Sequence, residues 1–346
     1  MLKVFSLSEY NQWDQIVRSF KEYNVFYLSG YSRAINNNRD GRPYLIYYED
    51  SNLRAINVII ERDISECSQF NSKIELNKYY DIISPYGYGG FLLDGAREGY
   101  KTVEKHYKEF LNEKNYISEF VRFELFSKYW EYFEGIVESR TQNIVRSLDE
   151  PLDVIFEDFE HKCRKNIKKA DRKGLKIIIN NGNAEIDDFY RIYIETMKRN
   201  NADKYFYFKK DYFEEINKLS ENHIYFNVLY QDKIVSTELV LFDNTNCYSY
   251  LGGTDNEYFD LRPNDFVKYE IIKWAKSIGL KRFVLGGGYG KDDGIFRYKR
   301  SFAPNGVYDY YIGKRIINNE LYNQLVTLRK SEIVEEKINY FPLYRA

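Results

Sequence analysis

The chain has 346 residues, of which 44% are hydrophobic and 30% charged, with a formal net charge of −1. That length suits two domains of about 150–170 residues, and the composition is sufficient to bury a sizeable core. The near balance of charge excludes a globally basic binder of DNA or RNA and leaves room only for a local basic patch.

The N-terminal run MLKVFSLSEYNQWDQ turns polar within a few residues, so it does not read as a signal peptide. No apolar run approaches the roughly 20 residues of a spanning helix. Cys67, Cys163 and Cys247 are odd in number and far apart, with neither metal spacing nor a disulfide framework. The three histidines are equally scattered, and no bound metal is expected. A cytoplasmic chain fits these features. Aromatic residues reach 18%, with 35 Tyr and 24 Phe. Codon bias explains this most simply; a groove lined with amphipathic rings is the functional alternative.

In chain order, Tyr44 to Tyr48 reads as a strand, Glu49 to Asn52 as a turn and Leu53 to Ile60 as a second strand. Tyr79 to Ser84 is a strand running into the loop Pro85-Tyr86-Gly87-Tyr88-Gly89-Gly90. A helix from about Lys101 to Asn112 and a strand from Glu119 to Phe126 follow. Near Arg140 to Asp149 a strand crosses between halves. The second half repeats the order: strand Ile224 to Tyr230, turn, strand Ile234 to Phe242, strand Cys247 to Leu251, helix Pro263 to Ser277, strand Lys281 to Leu285. The fold class is thus α/β with mixed sheets, in two similar halves. The boundaries are set at 1–145 and 146–315, with a C-terminal helical segment (318–337 within 316–346) packing back on the first half.

The 263–277 helix is well signalled. Pro263 suits the first turn, Asn264 and Asp265 can satisfy free N–H groups there, and Gly279 ends it. Val267, Ile271, Trp274, Ala275 and Ile278 form an apolar stripe, with Asp265, Lys273 and Lys276 opposite.

Four features could carry chemistry. From Lys162 to Lys176 a helix carries eight Lys or Arg against Asp171. Arg164, Lys168 and Arg172 share one face, Lys165, Lys169 and Lys173 the next. So basic a surface attracts phosphates, from a sugar nucleotide or a tRNA acceptor stem; a solvated face is the plain alternative. The segment Gly286 to Phe302 follows a strand; it is not a P-loop, because Gly-Lys-Ser/Thr is missing, nor a dinucleotide fingerprint, because no helix opens from it and no ribose-binding acid follows. In it Tyr298-Lys299-Arg300 sets cations beside a ring, and a lysine there could stabilise an oxyanion in acyl transfer. The loop at 85–90 turns sharply and shows Tyr86 and Tyr88, as a cleft lining would. Glu238, an acid inside the apolar strand Ser236 to Val240, reads either as an exposed alternate position or as a general base for an acceptor amine.

These residues resemble the FemABX peptidoglycan-bridge family and FemAB-related acetyltransferases of the GNAT superfamily. Arg164 to Ala170 with Lys173-Gly174-Leu175 resembles the helix opening the second half of that family. The 85–90 loop resembles one in its first half. Leu261-Arg262-Pro263-Asn264 with Trp274-Ala275 and Gly279 resembles the acetyltransferase domain, and Tyr298 to Phe302 the aromatic-Lys-Arg-x-Phe loop. The resemblance spans about residues 25 to 315. It implies two tandem GNAT-like domains without the inserted coiled-coil arm of some members. It implies transfer of an amino acid from aminoacyl-tRNA to the peptide stem of a UDP-linked cell-wall precursor, with no resident cofactor. By position, Lys299 assists the tetrahedral intermediate, and Tyr298 and Arg300 flank it at the substrate. The family's Trp-Lys near the start is replaced by Tyr31-Ser32-Arg33, which leaves Arg33 as the substitute. Arg199 and Tyr207 fall on the other acceptor-binding side. The coenzyme A signature is absent before the 263–277 helix. An acyl-CoA-dependent N-acyltransferase of sugars and a silent glycan or nucleotide-sugar binding module remain as alternatives.

Overall fold

The computed structural model describes residues 1–37, 41–70, 73–181, 186–219, 221–288, 290, 292–333 and 335–346. The chain divides into two compact units. Unit 1 comprises Met1–Lys21, Phe26–Arg140 and Tyr310–Ala346; unit 2 comprises Glu22–Val25 and Thr141–Asp309. The changeovers thus fall at 140/141 and 309/310, beside the sequence-based 145/146 and 315/316.

Unit 1 begins with β1 (Leu2–Ser6), α1 (Tyr10–Arg18) and α2 (Ser29–Asn37). The hairpin β2 (Arg42–Glu49) and β3 (Arg54–Asp63) follows, then β4 (Tyr80–Ile83), β5 (Leu92–Asp94), α3 (Tyr100–Glu113) and β6 (Ser118–Arg122). Strand β7 (Ile136–Ser147) carries the chain into unit 2. There α4 (Leu152–Asp158), α5 (His161–Arg172), β8 (Lys176–Asn180), α6 (Ile186–Arg199) and α7 (Lys210–Asn217) precede the meander β9 (His223–Tyr230), β10 (Lys233–Phe242) and β11 (Asn246–Thr254). Next come α8 (Pro263–Ser277), β12 (Arg282–Gly286) and α9 (Gly294–Arg300). Strand β13 (Val307–Ile316) returns to unit 1, which α10 (Asn319–Arg329) completes.

Both units share one plan. In unit 1 the strand order is β1-β2-β3-β4-β6-β13, and in unit 2 it is β7-β12-β11-β10-β9-β8. Each has one parallel pair among antiparallel neighbours: β4 with β6, and β11 with β12. A parallel pair needs a crossover, and α3 and α8 supply it. This is the duplicated hairpin, strand, loop, helix, strand order expected from sequence. Among the described residues the longest helix is α8, at 15 residues, so no coiled-coil arm is seen there. Among the described residues no helix is long and apolar enough to cross a membrane.

Several expectations are corrected. The strand placed at 119–126 stops at Arg122, because Glu124 Oε2 accepts the N–H groups of Phe126 and Ser127, each at 2.7 Å, and turns the chain. The helix placed at 318–337 stops at Arg329, whose guanidinium donates to the carbonyls of Tyr344 and Ala346, each at 2.9 Å. A helix, α9, does open in the glycine-rich segment, capped by Asp293, which accepts from Phe296 N at 2.7 Å. Asn264 and Asp265 make no cap on α8; Arg262, in left-handed backbone, occupies that position. Gly279 ends α8 as expected, in left-handed backbone at φ +82°. Ile278 faces solvent, and Asp265 is buried rather than on a polar face.

The aromatic excess is core. Tyr27, Tyr31, Tyr107 and Tyr129 are wholly buried in unit 1. Each hydroxyl finds an acceptor: Gly90 O at 2.6 Å, Tyr86 O at 2.7 Å, Glu119 Oε1 at 2.8 Å and Glu104 respectively. A buried tyrosine adds ring area at little penalty when its hydroxyl is satisfied.

The C-terminal segment docks on unit 1 through Asp81, which is fully buried. Its Oδ2 accepts from Arg345 Nε at 2.6 Å and Tyr344 Oη at 2.8 Å, and its Oδ1 from Arg62 Nε at 2.8 Å. Burial alone would raise this carboxyl's pKa, but the two guanidiniums outweigh it and hold the pKa below its ordinary value. Asp81→Asn leaves two partly buried guanidiniums without their carboxylate, so the loss is about 1.5–3 kcal/mol. Because the folded-state pKa is depressed, the native advantage over Asp81→Asn is complete above the ordinary carboxyl pKa of about 4. It disappears as pH falls through the folded value. Urea unfolding of both proteins between pH 3 and 7 measures it; a gap that does not narrow in acid contradicts the assignment.

Candidate functional site

In unit 2 helix α8 packs on β9, β10 and β11. At that place strand β10 carries Glu238, α8 carries Lys268 and β11 carries Ser249. Glu238 is not an exposed alternate position: it is 5% exposed, and Lys268 is 7% exposed. The ammonium of Lys268 donates to both carboxylate oxygens of Glu238, and to Ser249 Oγ at 2.7 Å. A buried carboxylate with both oxygens on a buried ammonium is an ion pair, so Glu238 stands as the partner of Lys268 rather than as a free base. Sequence reasoning missed Lys268. Its signal was there: an acid in an apolar strand and a lysine inside a buried helix each need an opposite partner.

Lys299 lies on α9, not on a loop. Its ammonium donates to Gly287 O at 2.6 Å. Gly286, at the end of β12 with φ +78°, leaves the space for it: a Cβ there would lie 3.3 Å from Nζ and 3.8 Å from Asn143 Oδ1 of β7. The residue is half-buried, but its amine is closely surrounded. Burial, then the Lys268 charge, pull its pKa down to about 8, against weaker opposing pulls from Glu238 and Asp293. An amine with that pKa is present in both protonation states near neutrality. Tyr289, the ring of the glycine run, lies outside the described residues.

Tyr298 precedes Lys299 on α9. Its hydroxyl is buried and finds no hydrogen-bond partner among the described residues. Burial, and then the charges of Asp265 and Glu238, push its pKa well up, so it stays a phenol, a donor without an acceptor. Beside it Asp265, the third residue of α8, is raised by burial and accepts from Asn166 Nδ2 of α5 at 3.1 Å. The thiol of Cys163 is pushed up to about 12 by burial and then by Asp265, so it is no nucleophile. Arg300 is half-exposed and lies over the Phe296 ring, its nearest carboxylate oxygen being that of Asp292 at 3.7 Å.

The basic helix divides by partner. Arg164 is tied to the carbonyls of Glu157 and Phe159, Lys168 stacks on the Phe156 ring and Arg172 caps the Lys168 carbonyl at 3.1 Å. Among the described residues Lys165 and Lys169 have no partner, so the open charge lies on their face. At the far end of α6, Arg199 donates to Thr254 O at 3.1 Å and covers the Phe259 ring, and Tyr207 is exposed.

In unit 1, Tyr88 is a core ring, packed edge-on to Phe26 and Tyr310. Tyr86 lends its carbonyl to Tyr31 of α2, which brings that helix, with Arg33 two residues on, against the 85–90 loop. Arg33 lies over the Tyr10 ring. Gly87 needs its freedom: φ is +97° and a Cβ would meet the Phe26 ring at 2.7 Å.

Residues 158–300 match the acetyltransferase (GNAT) domain family. A lipid II:glycine glycyltransferase of Staphylococcus haemolyticus is 29% identical over 115 residues, 30% of this chain and 26% of that protein. A UDP-N-acetylmuramoylpentapeptide-lysine N(6)-alanyltransferase of Weissella viridescens is 24% identical over 176 residues, 49% and 50% of the two chains. The crystal structure of FemX superposes with a TM-score of 0.69 at 14% identity, covering 94% of this chain and 99% of that one. The chain thus has the fold of FemX and is similar in sequence to these two transferases. It spans half or less of the length of these two curated relatives.

The Tyr298 phenol is a buried donor with no acceptor among the described residues. An unsatisfied buried hydroxyl costs about 1–3 kcal/mol. Tyr298→Phe should therefore leave the thermal midpoint unchanged or raise it, unlike most core substitutions. Calorimetry of the two proteins decides; a clear fall in midpoint means that the hydroxyl has a structural partner.

Proposed function

We propose that the chain transfers an aminoacyl group from aminoacyl-tRNA to an amine of the peptide stem of a peptidoglycan precursor. The observation that carries this is Lys299: an enclosed amine with one N–H spent on Gly287 O and its pKa near 8, on the same helix as a phenol with no hydrogen-bond partner among the described residues. The acceptor amine attacks the ester carbonyl of the donor. Protonated Lys299 and Tyr298 donate to the oxygen that becomes negative. When the C–O bond to the ribose breaks, the ribose oxygen takes up a proton as the attacking nitrogen gives one up. The similarity to glycyl- and alanyltransferases supports this acceptor chemistry.

Two features support an RNA donor over coenzyme A. Pro263 removes one N–H from the start of α8, and the buried Asp265 two residues on puts a carboxylate where an anion would approach. The face of Lys165 and Lys169 offers unpaired cations to a phosphate backbone.

The test supplies aminoacyl-tRNA, charged in turn with single labelled amino acids, together with UDP-MurNAc-pentapeptide or lipid II. Label should pass to the precursor and the transfer should vanish on ribonuclease treatment. Lys299→Met should lower kcat by about 10²–10³ with acceptor binding retained. Saturable turnover of acetyl-CoA with no RNA requirement would overturn the donor assignment.

A further inference from the structure

Beneath α3, the core of unit 1 sets two buried carboxyl groups against one guanidinium. Glu104 of α3 is 0% exposed, Glu119 of β6 is 2% exposed, and Arg315 of β13 is 6% exposed. Strand register puts Glu119 directly opposite Arg315. The hydrogen bonds fall unequally on the two acids. Glu104 Oε1 accepts from Arg315 Nη2 and from Glu134 N, the latter at 2.9 Å, and its Oε2 accepts from the Tyr129 hydroxyl. Glu119 Oε1 accepts from the Tyr107 hydroxyl at 2.8 Å. Its Oε2 lies 3.3 Å from Arg315 Nε, yet among the described residues that oxygen accepts no hydrogen bond and that Nε donates none. The guanidinium instead lies over the Phe133 ring, 4.3 Å from the centroid.

We infer that Glu119 carries a proton on Oε2 at neutral pH, so that α3, β6 and β13 are joined by one carboxylic acid, one carboxylate and one guanidinium. Two buried carboxylates on a single guanidinium would leave a negative charge without a partner, and a buried group in that position neutralises instead. The hydrogen bonds decide which acid keeps the charge. Glu104 has three donors, one of them the guanidinium, as an ionised carboxylate requires; Glu119 has one hydroxyl. The groups that face Glu119 are Arg315 from β13, Glu104 and Tyr107 from α3, and Tyr129 from the turn between β6 and β7; the neighbouring strand β4 sets Ile82 beside it. Burial is the largest influence and, with the Glu104 charge behind it, raises the carboxyl's pKa against the pull of Arg315. Burial also pushes Tyr107 and Tyr129 well up, so both stay phenols. The joint is therefore a lock that closes by protonation and weakens as pH rises. Because the folded-state pKa is raised, the contribution of Glu119 to stability is complete below the ordinary carboxyl value of about 4.3 and is lost as pH rises through the folded value.

The test is infrared difference spectroscopy of the full chain and Glu119→Gln at pH 7, which needs neither donor nor acceptor. Glutamine keeps an oxygen for the Tyr107 hydroxyl and places an N–H where the acid has its O–H. The native protein should show the carbonyl stretch of a protonated carboxyl group that the variant lacks. Asp265 of unit 2, another carboxyl raised by burial, is common to both proteins and cancels. Thermal unfolding between pH 4 and 9 gives a second readout. The native protein should lose ground to the variant as pH rises, by roughly tenfold in the folding equilibrium for each unit by which the folded pKa exceeds the ordinary one. An ionised Glu119 paired with Arg315 gives the opposite: no difference band, and a native protein that gains on the variant as pH rises through about 4. Either result overturns the inference. Should Glu119→Gln not fold, ¹³C labelling of the glutamate carboxyls in the native protein takes its place. The protonated-carboxyl band must then move with the label, and a native spectrum at pH 7 with no such moving band overturns the inference equally.

Discussion

The second unit depends on one buried ion pair. Removing Lys268 and Glu238 from water is expensive, and their attraction offsets that only if the geometry is tight and the remaining donors are used. Both conditions hold here, since the ammonium meets two carboxylate oxygens and a serine hydroxyl. The pair joins the middle of α8 to the middle of β10, across the strand that lies between β10 and β12. The helix cannot slide or rotate without exposing one charge to apolar surroundings. The positions of Asp265 at its first turn and of the α8 face near β12 follow from that register.

The first unit answers the same need with other residues. Its crossover helix α3 carries Glu104, fully buried, which accepts from Arg315 of β13, from the hydroxyl of Tyr129 and from Glu134 N at 2.9 Å. Arg315 also lies 3.3 Å from Glu119 of β6, whose carboxyl is raised by burial in spite of that guanidinium. In both units a charged residue about one and a half turns into the crossover helix is locked to a strand charge. In unit 1 the phenol of Tyr129 is consumed by this network. In unit 2 the phenol of Tyr298 has no hydrogen-bond partner among the described residues. A duplicated plan has kept its anchoring charges in both copies and left an available donor in one.

Legibility from sequence followed the range of the interactions. Helix α8 was placed to the residue because Pro263 and Gly279 act locally on their own backbone. The repeated order of strands and helices was visible because periodicity and turn residues are local too. The end of β6 was missed because it depends on Glu124 turning back on the N–H groups beyond it. Helix α9 was missed because the glycine run before it drew attention from Asp293, a good cap followed by seven helical residues. Arg164 and Arg172 looked like free cations in the sequence and prove to be satisfied by carbonyls. Lys268 lies 30 residues from Glu238, and no local rule connects them.

The start of α8 bears on the proposed donor. A helix N-terminus attracts an anion through free N–H groups and the aligned peptide dipoles. Here the first position is proline, the preceding Arg262 is in left-handed backbone, and the carboxylate of Asp265 is buried one step further in. That carboxylate already uses the favourable field, and a diphosphate brought to the same end would meet its charge in a low dielectric. Lys165 and Lys169, which have no partner among the described residues, lie along the side of a twelve-residue helix rather than at a point. A line of charge suits a polymer of phosphates better than a single diphosphate, because successive phosphates can each release counterions to it. In unit 2 the start of the crossover helix is thus occupied by the protein's own carboxylate, and the basic side of α5 is the surface that supports the proposed nucleic-acid donor.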